Sequence, residues 1–435
     1  MKSDNNLNSR INSPPREVTE KTKYIFLLIM ASLLFILAFT FNSTEEIIKG
    51  SYIILASPAN LLTDYFALAN IGAALVNASL MAFLSIGMIR VTGSKITGTL
   101  IAAIFTVIGF SLFGKNLYNS ISIIAGVALY SKASKTKLKK NLPSALFGTA
   151  LGPMVSEFSF NLDLPLYLGI IIGNLVGIFI GFITPLLAAY FVKFHRGYNL
   201  YNLGFTCGII GTFFIGILRS FGVEVKTVSL ISTGNNEEFS YLLYSFFIAL
   251  FFVGLIYNNW NFEGFAKILK ETGKLTPDFI NLAGFGPTLI NMALLGAIST
   301  SYVLIVGGEL NGPVLGGIFT VIGFGACGKH VKNVTPILFS IFIIGLFHLE
   351  EVYSPVALLA ALFGTTLAPI SGRFGPLAGM LAGALHMTLT VNIVDLHAGM
   401  NLYNNGFSGG LVAATLFPLL NALIPNKREN DDLCK

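Results

Sequence analysis

The sequence predicts an all-α polytopic membrane protein with two inverted structural repeats of about seven hydrophobic segments each, some of them short or broken. Three observations support this fold class. Of the 435 residues, 54% are hydrophobic and only 11% charged, whereas about a quarter of the residues of a soluble domain are charged. Several apolar runs approach or exceed the ~20 residues that cross a bilayer. One long phrase of sequence also occurs twice.

The duplication defines the repeat unit. IFTVIGFSLFGKN at 104–116 returns as IFTVIGFGACGKH at 318–330, and at this offset 20 of the 56 positions from 64 to 119 are identical. Two further blocks return in the same order: ALFGTALGP (145–153) as ALFGTTLAP (361–369), and HRGYNLYNLGFTCG (195–208) as HAGMNLYNNGFSGG (397–410). A unit of about 200 residues has the size of a transporter half and is too long for a solenoid repeat.

The hydrophobic segments give the domain organisation. We predict seven in the first half, at 24–41, 66–89, 97–113, 117–131, 144–160, 166–192 and 200–218, and seven counterparts beginning at 240, 279, 312, 334, 354, 375 and 401. The predicted parts are a cytoplasmic polar tail (1–23), repeat 1 (24–222), an extracytoplasmic linker (223–239), repeat 2 (240–425) and a cytoplasmic tail (426–435). An uncleaved first helix fits better than a signal peptide, because no A-x-A cleavage site follows it.

The basic residues predict the orientation. If all fourteen segments cross and the N-terminus is cytoplasmic, 23 of the 27 Lys and Arg lie on the cytoplasmic side, as the positive-inside rule requires. We therefore expect a multi-pass protein of the plasma membrane with both termini in the cytoplasm. The excess of basic residues on the cytoplasmic side also explains the net charge of +6, so we expect no nucleic-acid partner. An odd number of segments per half inverts the second half about an axis in the membrane plane.

This organisation predicts a transporter or channel for a small polar solute, bound at the interface of the two repeats. The alternative is a membrane scaffold or membrane-embedded enzyme that uses the duplicated fold without permeation. We expect no enzymatic activity, since the sequence has neither GxxxxGK[ST] nor GxSxG. Without HExxH or clustered Cys/His spacing we expect no metal and no other cofactor. Besides the solute, the expected partners are the lipid bilayer and a second copy of the chain in a homo-oligomer.

The repeated phrase supplies four of the six predicted solute-binding residues. Thr97 and Asn311 open the two short segments, where they would cap half-helices whose N–H groups face a cavity. Thr106 and Thr320 lie inside IFTVIGF and would present hydroxyls to the solute. The alternative for the threonines is a hydroxyl bond to the preceding helical turn.

The NLYN blocks supply the other two. Asn202 and Asn404 begin helical segments and form our best candidate pair, because buried amides are costly unless they are satisfied. The alternative is interfacial capping beside tyrosines of an aromatic belt.

Few titratable residues lie at depth in the predicted spans. Glu157 and His386 are candidate proton relays, although a histidine bonded to a neighbouring helix is the commoner case. Glu157 is aligned with Arg373 by the second repeated block. Lys115 and Lys329 follow the repeated phrase, and we predict that they are snorkelling anchors rather than anion ligands.

The double IFTVIGF…GK and NLYN.GF blocks resemble those of domain-of-unknown-function family 1576, internally duplicated bacterial membrane proteins, over nearly the whole chain. The resemblance implies the duplicated membrane fold but no activity and no site. NLYNNGFSGGLV (401–412) much more weakly resembles a helix start of urea transporters, which also have inverted halves. By segment count alone, the architecture is similar to that of nucleobase and anion transporters of the uracil-permease type, which does not identify a substrate.

Overall fold

The computed structural model describes residues 17–225, 229–347 and 351–424. Within these ranges the chain is helical and contains no strand, only three isolated β-bridges. The predicted all-α fold is therefore confirmed. Residues 1–16, which form most of the predicted N-terminal tail, residues 226–228 and 348–350, and the whole of 425–435 lie outside the described residues.

Helices of the first half follow the predicted segments. They are α1 (Glu20–Phe41), α2 (Thr44–Ala56), α3 (Ile71–Val91), α4 (Gly98–Phe110), α5 (Leu117–Ala133), α6 (Leu142–Phe147), α7 (Gly152–Phe160), α8 (Leu166–Phe194) and α9 (Asn202–Ser220). Short helical turns at Tyr65–Leu68, Leu138–Lys140 and Gly148–Leu151 connect them.

Helices of the second half repeat this order. They are α10 (Asn236–Tyr257), α11 (Phe285–Ile305), α12 (Gly312–Phe324), α13 (Val331–Gly345), α14 (Pro355–Gly364), α15 (Ala368–Phe374), α16 (Pro376–Ile393) and α17 (Asn404–Leu423). Short turns lie at Phe265–Ile268, Phe279–Ala283, Thr365–Leu367 and Val394–Leu396.

Helix lengths separate two classes among the fourteen predicted segments. Nine form helical stretches in the described part of the chain that are long and apolar enough to cross a membrane, one of them being α14 and α15 joined through the turn at Thr365–Leu367. The other five are short or broken: α4, α5, α12, α13, and the α6–α7 pair with its 3₁₀ turn. The expectation of short and broken helices is thus met, and the protein is a multi-pass membrane protein.

Helix α2 is missing from the predicted segments. A capping box starts it: the Glu46 N–H donates to the Ser43 hydroxyl, and the Glu46 carboxylate accepts the Ser43 N–H at 2.8 Å. One side of α2 is buried at Ile47 and Ile54, whereas Tyr52 is exposed. Its polar first turn hides it from a search for continuous apolar runs. Two helices also start four residues before the predicted segments, α1 at Glu20 and α10 at Asn236.

The two short helices made of the repeated phrase pack against each other at the centre. A side chain at Gly98, which starts α4, would meet the Ala326 carbonyl just after α12; one at Gly312, which starts α12, would meet the Leu112 carbonyl just after α4. The helices are therefore antiparallel. The equivalent Phe105 and Phe319 rings lie 6.3 Å apart between them. A two-fold axis that relates antiparallel helices is perpendicular to them, so the repeats are inverted.

The loop after each central helix is held in the same way in both halves. The Asn77 amide donates to the carbonyls of Ser111 (2.7 Å) and Lys115 (2.8 Å). Its counterpart Asn291 donates to the carbonyls of Gly325 and Lys329, both at 2.8 Å. The glycine before each lysine has a φ of +66° at 114 and +80° at 328, a conformation that costs glycine little. Loop geometry thus explains why both halves keep this glycine.

Candidate functional site

Helices α9 and α17 meet at their N-termini on the pseudo-two-fold axis. A Cβ built at Gly204 would lie 3.1 Å from the Cα of its equivalent Gly406, so only glycines permit this approach. Just before these glycines, the rings of Tyr201 and Tyr403 lie 4.9 Å apart between centroids. The NLYN blocks therefore converge at the interface of the repeats.

Two asparagines tie the halves together at this crossing. The Asn199 amide donates to the Gly406 carbonyl at 2.9 Å, and the equivalent Asn401 amide donates to the Gly204 carbonyl at 3.2 Å. Each side-chain oxygen accepts the backbone N–H two residues later, at 3.1 and 3.0 Å. Both asparagines are buried. The first asparagine of each NLYN block thus fixes the crossing, while the second has another role.

A cavity of about 240 Å³, which we call the central cavity, is lined by both tyrosines of the pair. Its wall is largely apolar, with Asn199, Asn202, Thr99 and Thr276 as polar exceptions. The lining residues are Thr99, Pro143, Phe147, Val192, Gly197, Asn199, Leu200, Tyr201, Asn202, Leu203, Gly204, Leu275, Thr276, Phe324 and Tyr403. The first turn of α9 and residues of both repeats therefore share one cavity.

Lys329 lies directly behind this cavity wall. Its ammonium donates to the Tyr201 hydroxyl and, at 2.6 Å, to the Thr365 hydroxyl. The same group lies 4.4 Å from the Tyr201 ring centroid and 5.3 Å from that of Phe324. The neighbours of the Lys329 ammonium are hydroxyls and aromatic rings. The ion pairs seen among the described residues do not include Lys329.

Lys115, the equivalent lysine, has different contacts. Its ammonium is buried without a hydrogen-bond partner and lies 5.6 Å from the Phe110 ring centroid. The equivalent tyrosine, Tyr403, donates instead to the Thr106 hydroxyl at 3.2 Å. Both lysines are 0% exposed, so the predicted snorkelling is wrong: a snorkelling amine reaches water, and these amines lie in the protein core.

A second cavity, of about 750 Å³, lies beside the central one. Five lysines line it: Lys95, Lys135, Lys137, Lys139 and Lys140. Thr97 and Pro143 complete part of the wall, and Pro143 also lines the central cavity. We call this second cavity the lysine entrance. It places a cationic surface next to the central cavity.

The structure places the two predicted caps at helix starts. Thr97 caps α4 by accepting the Leu100 N–H at 3.3 Å, and Asn311 caps α12 by accepting the Val314 N–H at 3.0 Å. The Asn311 amide nitrogen is buried and makes no hydrogen bond. Thr320 donates to the Gly316 carbonyl at 2.8 Å, which is the alternative bond considered for it. Thr106 is the threonine that meets the tyrosine pair.

Asn202 and Asn404 each bond a histidine seven residues earlier. The Asn202 side-chain oxygen lies 3.0 Å from His195 Nε2, and that of Asn404 lies 2.9 Å from His397 Nε2. The Asn202 amide also donates to the Ala188 carbonyl at 3.0 Å. Only Asn202 of this pair lines the central cavity. The recurrence of H-x6-N in both repeats is the signal by which sequence reasoning could have found the histidines.

The two candidate proton relays lie apart from each other. His386 is buried between α16 and α17, where its ring nitrogens contact Asn405 (3.0 Å) and Ser408 (3.2 Å). Glu157 accepts the Asn161 amide at 2.8 Å. Its aligned counterpart Arg373 donates to Asn421 at 3.1 Å. These groups occupy separate polar clusters outside both cavities.

Comparison with known proteins identifies a family. The model of the family described as "Protein of unknown function (DUF1576)" matches residues 43–220 and 257–422. The two matches are one per repeat and leave out α1 and most of α10. No curated protein and no solved structure matches the chain.

Proposed function

We propose that this chain, a member of the DUF1576 family of proteins of unknown function, carries a small polar solute across the membrane by binding it at the interface of its two inverted repeats. One observation carries the proposal: the central cavity is lined by both members of the Tyr201–Tyr403 pair, whose rings meet on the axis that relates the repeats. Inverted-repeat transporters bind their solutes near this axis, where discontinuous helices begin.

The size of the cavity supports a small solute. Pockets for drug-sized ligands have volumes of about 300–1,000 Å³, and this cavity holds about 240 Å³. Its wall combines aromatic rings with a few polar groups, which is the usual composition of a ligand site. The solute is therefore a molecule or ion of a few heavy atoms.

Unequal contacts of equivalent residues support alternating access rather than an open channel. The Lys329 ammonium donates a hydrogen bond to the Tyr201 hydroxyl. The equivalent Lys115 ammonium makes no hydrogen bond, and the Tyr403 hydroxyl donates to Thr106 instead. In two inverted halves, an exchange of these contacts would generate the opposite conformation. The described conformation is then one of two states, with the central cavity open on the Lys329 side.

Charge distribution supports an orientation in the plasma membrane. The lysine entrance adjoins the central cavity, and the positive-inside rule assigns such a surface to the cytoplasm. We therefore propose that the described state faces the cytoplasm, with both chain termini on that side.

The test is uptake by liposomes that contain the purified protein. A panel of neutral urea-like solutes, nucleobases and small anions covers the classes that fit the cavity. Saturable uptake of one class is expected. Tyr201→Ala is expected to abolish it, and Asn392→Ala, a change at an exposed asparagine of α16, serves as the matched control. Absence of uptake for every solute, from protein with an intact cooperative unfolding transition, would contradict transport and favour a scaffold or enzyme.

A further inference from the structure

We infer that the transported solute is a small anion. This inference rests on the proposed function and names the substrate class of the same site. Three features of the described residues place positive charge or positive dipole ends at or near the central cavity: helix N-termini at the crossing, the two buried lysines, of which Lys329 bonds the wall residue Tyr201, and the lysine entrance.

The helix N-termini come first. Helix α9 begins at Asn202 and α17 at Asn404, and neither of the residues before them makes a side-chain capping bond. The first N–H groups of a helix have no acceptor within the helix and carry the positive end of its dipole. Residues 201–204, the first turn of α9, line the central cavity. An uncapped N-terminus in a cavity is an anion-binding arrangement.

The buried lysines supply the second observation. Lys115 and Lys329 occur in both repeats, on opposite sides of an inverted structure, so the positive-inside rule cannot account for both. The ammonium of Lys115 has no hydrogen-bond partner, and that of Lys329 has two hydroxyl partners. Both ion pairs found among the described residues, Lys23–Glu20 and Lys49–Glu45, involve other lysines. A buried ammonium without a carboxylate is costly, and an anion in the cavity would offset that cost.

The Tyr201 hydroxyl connects Lys329 to the cavity. This oxygen accepts a hydrogen bond from the ammonium and also contacts the Thr365 hydroxyl. A hydroxyl polarised by a cation is a stronger donor than a free one. Of the two amides in the same wall, Asn199 donates to the Gly406 carbonyl, and Asn202 donates one of its two amide protons to the Ala188 carbonyl. The second Asn202 proton and the first N–H groups of α9 are thus donors available to a solute beside the polarised hydroxyl.

The lysine entrance would attract an anionic solute toward the central cavity. Its wall contains five lysines and no carboxylate, and such a surface concentrates anions and speeds their association. Two acids lie near the start of α4, and both have partners: Glu20 accepts the Ile96 N–H at 2.8 Å and pairs with Lys23, whereas Asp278 caps the Phe279–Ala283 turn by accepting from Ile280 N at 3.0 Å. In the second repeat Glu309 stands at the position of Lys95, on the opposite face. Anions are therefore attracted to one face, which favours a direction of loading rather than an unselective pore.

The first experiment measures binding to the purified protein in detergent. The unfolding temperature is compared in sodium nitrate, phosphate, sulfate, formate and succinate at constant ionic strength, with urea and uracil as neutral probes. A ligand that binds the folded state raises this temperature in proportion to the logarithm of its concentration. The inference predicts that at least one anion raises it and that neither neutral probe does.

Removal of the buried charges is the second arm. Lys115→Met and Lys329→Met keep most of the side-chain volume and remove the desolvation cost of a buried ammonium without a carboxylate. We expect both variants to fold with unfolding temperatures equal to or above that of the unchanged protein, and to lose at least 10-fold in anion affinity. Lys49→Met, at an exposed lysine paired with Glu45, is the matched control and should bind normally.

The entrance is tested by Lys137→Gln, Lys139→Gln and Lys140→Gln combined. Uptake of the bound anion should fall several-fold at low ionic strength and approach the unchanged rate at high salt, because salt screens exposed charges. The measurement is made in liposomes of zwitterionic lipid alone and in liposomes with added phosphatidylglycerol. A loss of uptake that appears only with the anionic lipid would show that these lysines bind lipid headgroups, and would overturn their role in loading the solute.

The outcomes separate the two proposals. Uptake of a neutral solute that no anion inhibits, together with unchanged uptake in Lys329→Met, would overturn the anion inference and leave transport standing. Anion stabilisation without uptake of any panel member would overturn transport and leave an anion-binding membrane protein. Uptake of an anion that is lost in Lys329→Met and kept in Lys49→Met supports both.

Discussion

Tyr201 and Tyr403 occupy equivalent positions in the two repeats, and their tilted rings lie 4.9 Å apart on the axis, yet their hydroxyls have different partners. Tyr201 accepts from Lys329, whereas Tyr403 donates to Thr106. Symmetric sequence thus produces asymmetric bonding in the wall of the central cavity. We take this asymmetry as the mark of one conformational state.

The tyrosine hydroxyls should control the balance of the two states. Tyr201→Phe removes a charge-assisted bond from the described state, whereas Tyr403→Phe removes only a bond between neutral hydroxyls from it. Such bonds differ by about 1 kcal/mol, which corresponds to about fivefold in an equilibrium. A cysteine at Thr276, in the cavity wall, should therefore react with a thiol reagent about fivefold more slowly in Tyr201→Phe and faster in Tyr403→Phe. Equal rates in the two variants would contradict the exchange of contacts.

The cross-axis asparagines should be structural. Asn199→Ala and Asn401→Ala each leave a buried carbonyl of the other repeat without its donor, which costs about 1–3 kcal/mol. We expect a lower unfolding temperature for each, measured by thermal denaturation in detergent. Asn392→Ala removes only the hydrogen bond that this exposed amide donates to the Thr388 carbonyl, and it should change the unfolding temperature little. Unchanged stability in both buried variants would show that these bonds do not hold the crossing together.

Asn202 and Asn404 remain predicted solute-binding residues, and the structure suggests when each would act. Asn202 lines the cavity of the described state, so Asn202→Ala should raise the KM for solute presented on the Lys329 side. Alternating access predicts that Asn404→Ala raises the KM from the opposite side. Uptake in vesicles of uniform orientation measures both. If neither KM changes, the asparagines serve only as partners of His195 and His397.

His386 tests whether protons are coupled to transport through this part of the molecule. Its ring contacts are Asn405, Ser408 and Thr390, and it lines neither cavity. His386→Gln should therefore leave the pH profile of uptake unchanged, with a loss of stability as its main effect. A flattened pH profile in this variant would instead establish the proton relay predicted from the sequence.

Much of the architecture could be predicted from the sequence because the two halves keep the same residues for the same geometry. The repeated phrase forms the antiparallel pair α4 and α12, and the NLYN blocks form the crossing of α9 and α17. Hydropathy located all fourteen segments, and the family match supports the duplication. Hydropathy missed α2 (Thr44–Ala56), because the first turn of this helix contains two glutamates.

The site was harder to predict because burial depends on tertiary packing. Lysine at the end of an apolar segment usually snorkels, and nothing local to Lys115 or Lys329 shows that the opposite repeat covers it. Likewise, the sequence does not distinguish Asn199, which binds across the axis, from Asn202, which binds its own histidine and lines the cavity. Only the folded arrangement assigns the two amides of one block to different roles.

The most direct test of the central claim, that the central cavity is the path of the solute, is modification of a single cysteine at Thr99. This residue lies in the cavity wall, and the three native cysteines would be replaced by alanine. Uptake by liposomes is measured before and after reaction with a thiol reagent. The account predicts that modification stops uptake and that saturating solute slows the modification. Complete modification with undiminished uptake would contradict it.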